Sequence, residues 1–303
     1  MDSLQPRCLQ DGMLADRSFH NNFDRTAFSF SHSLHESPLF RMDSLLALAE
    51  RLSAFPGRYY IEEGQPHPGM GWGSRLPSAS LLESLRTLKE RQSLVMLKRV
   101  QAEPDYADVA EELTNELTQM TGIDMRSHYR DTVITILIAS PERVTPYHID
   151  GEANLLMQIQ GMKDIYIFDG TDREILPAIE IEHFWTGDIH AATYREALQS
   201  RAWCFRLQPG IGVSNPVLFP HWVRNGPEVS ISVSVNFKRR NDDVADAFRV
   251  NARMRRLGLH PMEPGKIATI DHTKGVIYRA FRDAAHALEG LGHHPDPTKP
   301  EAA

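Results

Sequence analysis

The segments "DTVITILIAS", "NLLMQIQG", "DIYIFDG", "WCFRLQPG", "GVSNPVLF" and "VSISVSVNF" crowd into the stretch from Tyr129 to Lys238. Each is short, rich in β-branched or aromatic residues, and closed off by turn residues. Strands of this length bury a face only by pairing with one another, so this texture predicts an antiparallel sandwich or barrel. One passage interrupts it: "ILPAIEIEHFWTGDIHAATYREALQSRA" is too polar and too long for a hairpin turn, and reads as an insertion over about 175–200 carrying a short helix.

Helical periodicity flanks the β-rich block on both sides. Before it, "TAFSFSHSLHESPLF" alternates as a half-buried strand would, "MDSLLALAERL" from Met42 to Leu52 has helical spacing, and the Gly- and Pro-rich stretch from Pro56 to Pro77 reads as a long loop. Two further helices are expected near 79–92 and 104–120, with "SLVMLKRV" a strand between them. After Lys238, helices are expected near 242–257 and 274–289, followed by a frayed tail, "GHHPDPTKPEAA". The predicted class is a mostly β core with flanking helices, α+β. Residues 1–125 form a mixed, mostly helical region supporting the barrel, 126–240 the core, and 241–303 the C-terminal helices and tail.

Composition narrows the function. The chain has 303 residues, 41% of them hydrophobic, enough for one substantial core or two modest ones. With 33 Lys and Arg against 40 Asp and Glu, a formal charge of -7, it offers no basic face for nucleic acid. Cys8 and Cys204 stand far apart in no metal-like spacing, which suggests neither a disulfide framework nor a thiolate site. The first twenty residues lack the apolar core of a signal peptide, and no run reaches the roughly 18 apolar residues of a membrane span. The expectation is a cytoplasmic protein.

Within the β-rich block, His148 and Asp150 stand two apart at the edge of "VTPYHIDGEANLLMQIQGMKDIYIFDG", where alternation in an extended segment points both to one side. Two imidazoles and one carboxylate suit an iron(II) centre that keeps open positions for oxygen chemistry. A bare His-X-Asp is too short to identify such a site. His221 supplies the third group: it follows a Pro-rich turn and precedes a strand, where a barrel would return it over the first pair. Lys163 sits between two apolar strand runs, where an unpaired ammonium is costly, so a buried anionic partner is expected. Among the other histidines, His32, His35, His183, His190, His293 and His294 read as strand, turn, insertion or tail residues.

On these residues the block from Thr145 to Asn236 resembles the JmjC and cupin-like iron(II), 2-oxoglutarate-dependent oxygenases. It resembles most the branch containing the asparaginyl hydroxylase of hypoxia signalling, and bacterial cupin-like proteins of unassigned substrate. The resemblance implies a double-stranded β-helix, the jelly roll, with His148, Asp150 and His221 as metal ligands. It implies further that Thr145, Asn154 and Asn236 contact the cosubstrate and that Lys163 pairs with the distal carboxylate of 2-oxoglutarate. Dioxygen is then the second cosubstrate. Ile211 departs from the pattern, standing where many relatives have an acidic residue after the Pro-Gly turn. A family tyrosine that touches the cosubstrate matches Tyr59, Tyr60 or Tyr129 without a choice between them.

The resemblance bears on the reaction as well. Asp150 favours hydroxylation, because related halogenases lack the carboxylate ligand, and demethylation stays open. The substrate expected is a peptide or protein side chain or a small amino-acid-like molecule, chosen by the N-terminal helices, the "HPGMGWGSRLP" loop and the insertion. Related hydroxylases suggest a homodimer through the C-terminal helices. The rival reading is a metal-binding cupin without turnover, acting as a binding or regulatory module. A purely structural interaction protein leaves the ordered set from Thr145 to Asn236 without a reason.

Overall fold

The computed structural model describes residues 8–9, 17–71 and 78–292, with side chains described up to residue 284. Much of the tail and residues 72–77 of the "HPGMGWGSRLP" loop therefore lie outside the described residues. Eleven strands are found among the described residues: β1 (Phe28–Ser31), β2 (Tyr59–Glu62), β3 (Leu94–Lys98), β4 (Tyr129–Ala139), β5 (Val144–His148), β6 (Ala153–Gln160), β7 (Lys163–Ile167), β8 (Trp203–Leu207), β9 (Ile211–Asn215), β10 (His221–Asn225) and β11 (Ser230–Arg239). They form a seven-stranded major sheet, β1-β9-β6-β11-β4-β3-β2, and a four-stranded minor sheet, β5-β10-β7-β8. All pairings are antiparallel. The eight strands β4 to β11, four per sheet in the orders β9-β6-β11-β4 and β5-β10-β7-β8, make the double Greek key of a jelly roll.

The chain divides into two compact units: Met1–Glu180 with Ile189–Arg240, and Ile181–Asp188 with Asn241–Ala303. The first holds both sheets. Helices dominate the first 125 residues, yet three strands from that region complete the major sheet, β1 beside β9 and β3-β2 beside β4. The second holds the helices Asp243–Arg256 and Ala268–Gly292. Among the described residues, no helix is long and apolar enough to cross a membrane.

Local chemistry explains the flanking elements. In the helix Met42–Leu52, Leu45, Leu48, Ala49 and Leu52 fall on one face and are buried. Pro104 opens the helix Pro104–Thr121, where its missing N–H costs nothing, and Gly122, at φ 73°, ends it in the left-handed conformation. The alternation from Thr26 to Phe40 predicts one strand, but only Phe28–Ser31 is extended. Beyond it two 3-10 turns bury Leu34 and Phe40 instead, the second opened by Pro38 and capped by the Ser37 hydroxyl. The expected loop from Pro56 hides β2, and the expected helix near 79–92 breaks at Thr87 into Leu81–Arg86 and Leu88–Arg91.

The major sheet is apolar on its outer face and partly polar on its inner one. Along β11, Ile231, Val233, Val235 and Phe237 join Leu45, Leu48, Leu113 and Leu117 of the helices in the principal core. Ser230, Ser232, Ser234 and Asn236 alternate with them and face the other way, into the sandwich. There Ser232 donates to Gln158 Oε1 (2.7 Å), and Gln158 Nε2 donates to Ser230 Oγ (3.0 Å). A smaller apolar cluster, including Leu156, Ile165, Ile167, Val213 and Val223, fills the rest of the interior. Such an interior suits a polar ligand better than a solid hydrocarbon core does.

A buried ion pair ties edge strand β2 to the start of edge strand β5. Arg143 Nη2 lies 2.9 Å from Glu62 Oε2, both side chains being 1% exposed, and Arg143 also donates to the carbonyls of Gln92 and Gly64. Removing one partner strands a charge in the interior. Glu62→Leu is expected to lower stability by about 3–5 kcal/mol in urea unfolding, and the double variant Glu62→Leu/Arg143→Met to recover most of that loss.

Candidate active site

The register of β5 against β10 sets His148 directly opposite His221. His148 ends β5 and His221 opens β10, so both imidazoles sit at one rim of the minor sheet, their ring centroids 4.2 Å apart. Asp150 Oδ2 lies 3.9 Å from Nε2 of His148 and 3.6 Å from Nε2 of His221. Taken one donor atom from each residue, the three fall within 4.8 Å of one another, a group able to hold a metal ion. Strand alternation is not what brings His148 and Asp150 together, because β5 stops at His148. The bend after it carries Asp150, whose carbonyl accepts the Leu218 N–H at 2.9 Å. Leu218 holds a left-handed conformation, φ 65°, and Gly170 packs so closely against its carbonyl that a Cβ at position 170 would collide with the oxygen. The site rim is thus clamped by backbone.

Each imidazole has its Nδ1 tied to the carbonyl two residues earlier. Nδ1 of His148 lies 2.7 Å from the Pro146 oxygen, and Nδ1 of His221 lies 3.0 Å from the Phe219 oxygen. A proton on Nδ1 satisfies each carbonyl and leaves the Nε2 lone pairs turned toward Asp150, as metal ligation requires. Burial, aided by the neighbouring His148, lowers the His221 pKa to about 4, against the pull of Asp150. The ring is therefore neutral at neutral pH. This donor set, two neutral imidazoles and a carboxylate, fits a divalent iron.

A β-bulge brings Thr145 to the same side. Val223 stands opposite Thr145 and His221 opposite His148, so two steps on β10 match three on β5. Without the extra residue an odd spacing would put Thr145 and His148 on opposite faces. Lys163 opens β7, where Ile167 stands opposite His221, so Lys163 shares that interior face about 13 Å further down the strand at ~3.3 Å per residue. It is 5% exposed, and among the described residues no carboxylate pairs with it. Burial lowers its pKa to about 7.

Asn154 and Asn236 stand opposite each other on β6 and β11. Asn154 Nδ2 donates to Asn236 Oδ1 (2.6 Å) and to Ser234 Oγ (2.7 Å), on the inner face of the major sheet. Of the three tyrosines that the family resemblance leaves open, Tyr129 belongs to the outer core and donates its hydroxyl to Asp24, while Tyr59 and Tyr60 lie on edge strand β2. His32 is fully buried beside Phe30 and His35, and is not on the triad's strands. Sequence reasoning missed Asn215, which stands opposite Asn154 and reaches His221 Nδ1 at 3.1 Å. It also missed the carbonyls of Pro146 and Phe219; the proline before Tyr147 and the one before His221 were the only signals of special backbone there.

No protein family model and no curated protein matches this chain. Among solved structures it is similar to the crystal structure of the Escherichia coli ribosomal oxygenase YcfD, with a TM-score of 0.48, 13% identity, and coverage of 96% of this chain and 70% of that one. A structure of YcfD with cobalt and 2-oxoglutarate gives a TM-score of 0.46 and 12% identity, over 96% of this chain and 69% of that one.

The depressed Lys163 pKa has a defined effect on stability. Unfolded, the amine holds its proton up to its ordinary 10.5; folded and without an anion, it releases the proton near 7. Between these values the unfolded chain binds more protons, so the ligand-free protein gains stability as pH rises through that window. Thermal or urea unfolding across the window should show this rise, and Lys163→Met should flatten it.

Proposed function

We propose that this chain is an iron(II)- and 2-oxoglutarate-dependent oxygenase that hydroxylates its substrate. One observation carries the reading: His148, Asp150 and His221 converge at the rim of a jelly roll, their Nε2 and carboxylate atoms turned toward one another. Deeper on the same face lies a buried lysine that no carboxylate pairs with among the described residues. His148, Asp150 and His221 would hold the iron, and Lys163 would meet the distal carboxylate of 2-oxoglutarate as a charge-assisted partner. Thr145, Asn154 and Asn236 would supply the uncharged hydrogen bonds of the cosubstrate pocket. When bound, the iron and cosubstrates supply the oxidising power, as 2-oxoglutarate and dioxygen give succinate, carbon dioxide and one oxygen atom inserted into a C–H bond.

The protein's share is positional. The clamped rim holds the backbone of Asp150, the two carbonyls fix the ring orientations, and the buried apolar side chains of Ile165, Ile167 and Val223 line the interior below. The substrate class proposed is a peptide or protein side chain or an amino-acid-like small molecule, taken at the rim where the Asp150 side chain is partly exposed. A cytoplasmic setting accords with the two free cysteines, Cys8 and Cys204.

Turnover tests the reading. The purified chain with iron(II), ascorbate and 2-oxoglutarate labelled at C1 is expected to release labelled carbon dioxide even without its substrate. His221→Ala should abolish release, and Lys163→Ala should raise the 2-oxoglutarate KM by about 10-fold or more, for loss of a charge-assisted pair worth at least about 1.4 kcal/mol. Metal binding without any decarboxylation in the wild type would instead identify a metal-binding module.

Self-association through the C-terminal helices is a second element of the proposal. Leu257, Ile270, Val276, Ile277 and Phe281 expose large apolar side chains there, Leu257 at 79% and Phe281 at 75%. Sedimentation should find a dimer that Ile277→Glu/Phe281→Glu converts to monomer; a monomeric wild type at working concentration removes it.

A further inference from the structure

His221 has two polar neighbours at Nδ1, and a neutral ring can satisfy only one of them in each tautomer. The Phe219 oxygen lies 3.0 Å away and Asn215 Nδ2 lies 3.1 Å away. With a proton on Nδ1, the ring donates to Phe219 and keeps the Nε2 lone pair for a metal. With Nδ1 bare, it accepts from Asn215, and Nε2 carries the proton and cannot ligate. Asn215 therefore faces the atom on which ligand competence depends.

The asparagine is built into the fold at this height. It is the last residue of β9, 2% exposed, opposite Asn154, which is itself opposite Asn236. It reaches from the major sheet to a ligand on the minor sheet. Nδ2 also donates to the Phe219 oxygen at 3.4 Å, while Oδ1 is buried without a hydrogen-bond partner among the described residues. The amide's oxygen and nitrogen are nearly equal in size, so half a turn about its last bond exchanges their places. That turn sets Oδ1 against the ring and leaves Nδ2 where Oδ1 had been. Among the described residues one amide atom lacks a partner in either orientation, and the turn also gives up the Nδ2 donation to Phe219, so the turned form is favoured only when a proton on Nδ1 lies between the two oxygens and, with it, a cation on Nε2.

We propose, resting on the reading of His148, Asp150 and His221 as metal ligands, that Asn215 is the positioning residue of His221: with a cation on Nε2, the Asn215 side-chain oxygen accepts the ring's Nδ1–H. The contact selects the ligating tautomer and links the two sheets at the metal. Outer partners of ligand histidines act in this way on orientation and basicity.

The test uses the full chain and zinc(II) alone, a diamagnetic probe, titrated against a chromophoric chelator, with nitrogen-15 spectra of labelled histidine reporting the protonated ring nitrogen. Asn215→Leu keeps the size and removes the acceptor; Asn215→Asp keeps the size and offers acceptors only. The expected result is that Asn215→Leu weakens zinc binding by about 10–100-fold while circular dichroism reports an unchanged fold. Asn215→Asp should bind as tightly as wild type or tighter, with His221 protonated at Nδ1. Wild-type affinity in a folded Asn215→Leu would overturn the proposal, and so would equal losses in both variants, which would mark a packing role. Should Asn215→Leu fail to fold, Asn215→Asp decides: retained affinity with a protonated Nδ1 supports the proposal, and a loss of about 10-fold overturns it. A wild-type chain that binds no zinc, like His148→Ala, would defeat the metal-ligand reading itself and is distinguishable from every outcome above.

Discussion

The pairing of β5 with β10 is the contact on which the site depends, since it alone sets His148 opposite His221. Each strand is only five residues long, and β5 is an edge strand carrying Pro146. Pairing energy of so short a ladder is modest, so its register is held from outside. The Arg143–Glu62 pair anchors the start of β5, and the Leu218 contact to Asp150 anchors the bend at its end. The bulge between these anchors is what lets Thr145 and His148 turn toward one interior, with Asp150 brought beside them by the bend.

Beneath that rim, the sandwich interior mixes polar side chains with the apolar cluster of Leu156, Ile165, Ile167, Val213 and Val223. The helices cover the hydrophobic face of the major sheet, so stability rests on the outer layer, where Phe237, Val235 and Ile134 meet Leu113 and Leu117. The inner face is free to carry serines, Gln158 and the asparagines, paired with one another. Lys163 stands apart from that pairing, a buried amine whose burial alone depresses its pKa to about 7. On the reading proposed above, a dianionic ligand would give such a group the counter-charge that no described residue supplies.

The fold class was legible from sequence for a physical reason, since period-two runs such as "VSISVSVNF" read as strands, and the structure brings His148, Asp150 and His221 together as the barrel reading expected. The direction of each face was not legible, because alternation says nothing about whether serine or valine turns toward the helices. Short strands were lost as well. β2 lies in Gly- and Pro-rich surroundings, and "VTPYH" and "HWVRN" mix polar and aromatic residues without a period, their pairing being supplied by distant partners. Asn215 gave no signal at all, since its partner comes six residues later around a turn that only the assembled sandwich closes.

Whether the three side chains hold iron together with the keto acid is decided by anaerobic titration of the purified chain with iron(II) and 2-oxoglutarate, monitored by visible absorption. A keto acid chelated to an iron(II) held by His148, Asp150 and His221 should produce a weak metal-to-ligand charge-transfer band that is absent in His148→Ala and needs more 2-oxoglutarate in Lys163→Ala. A wild-type chain that holds iron yet gives no band at saturating 2-oxoglutarate would rule out keto-acid binding at this metal site.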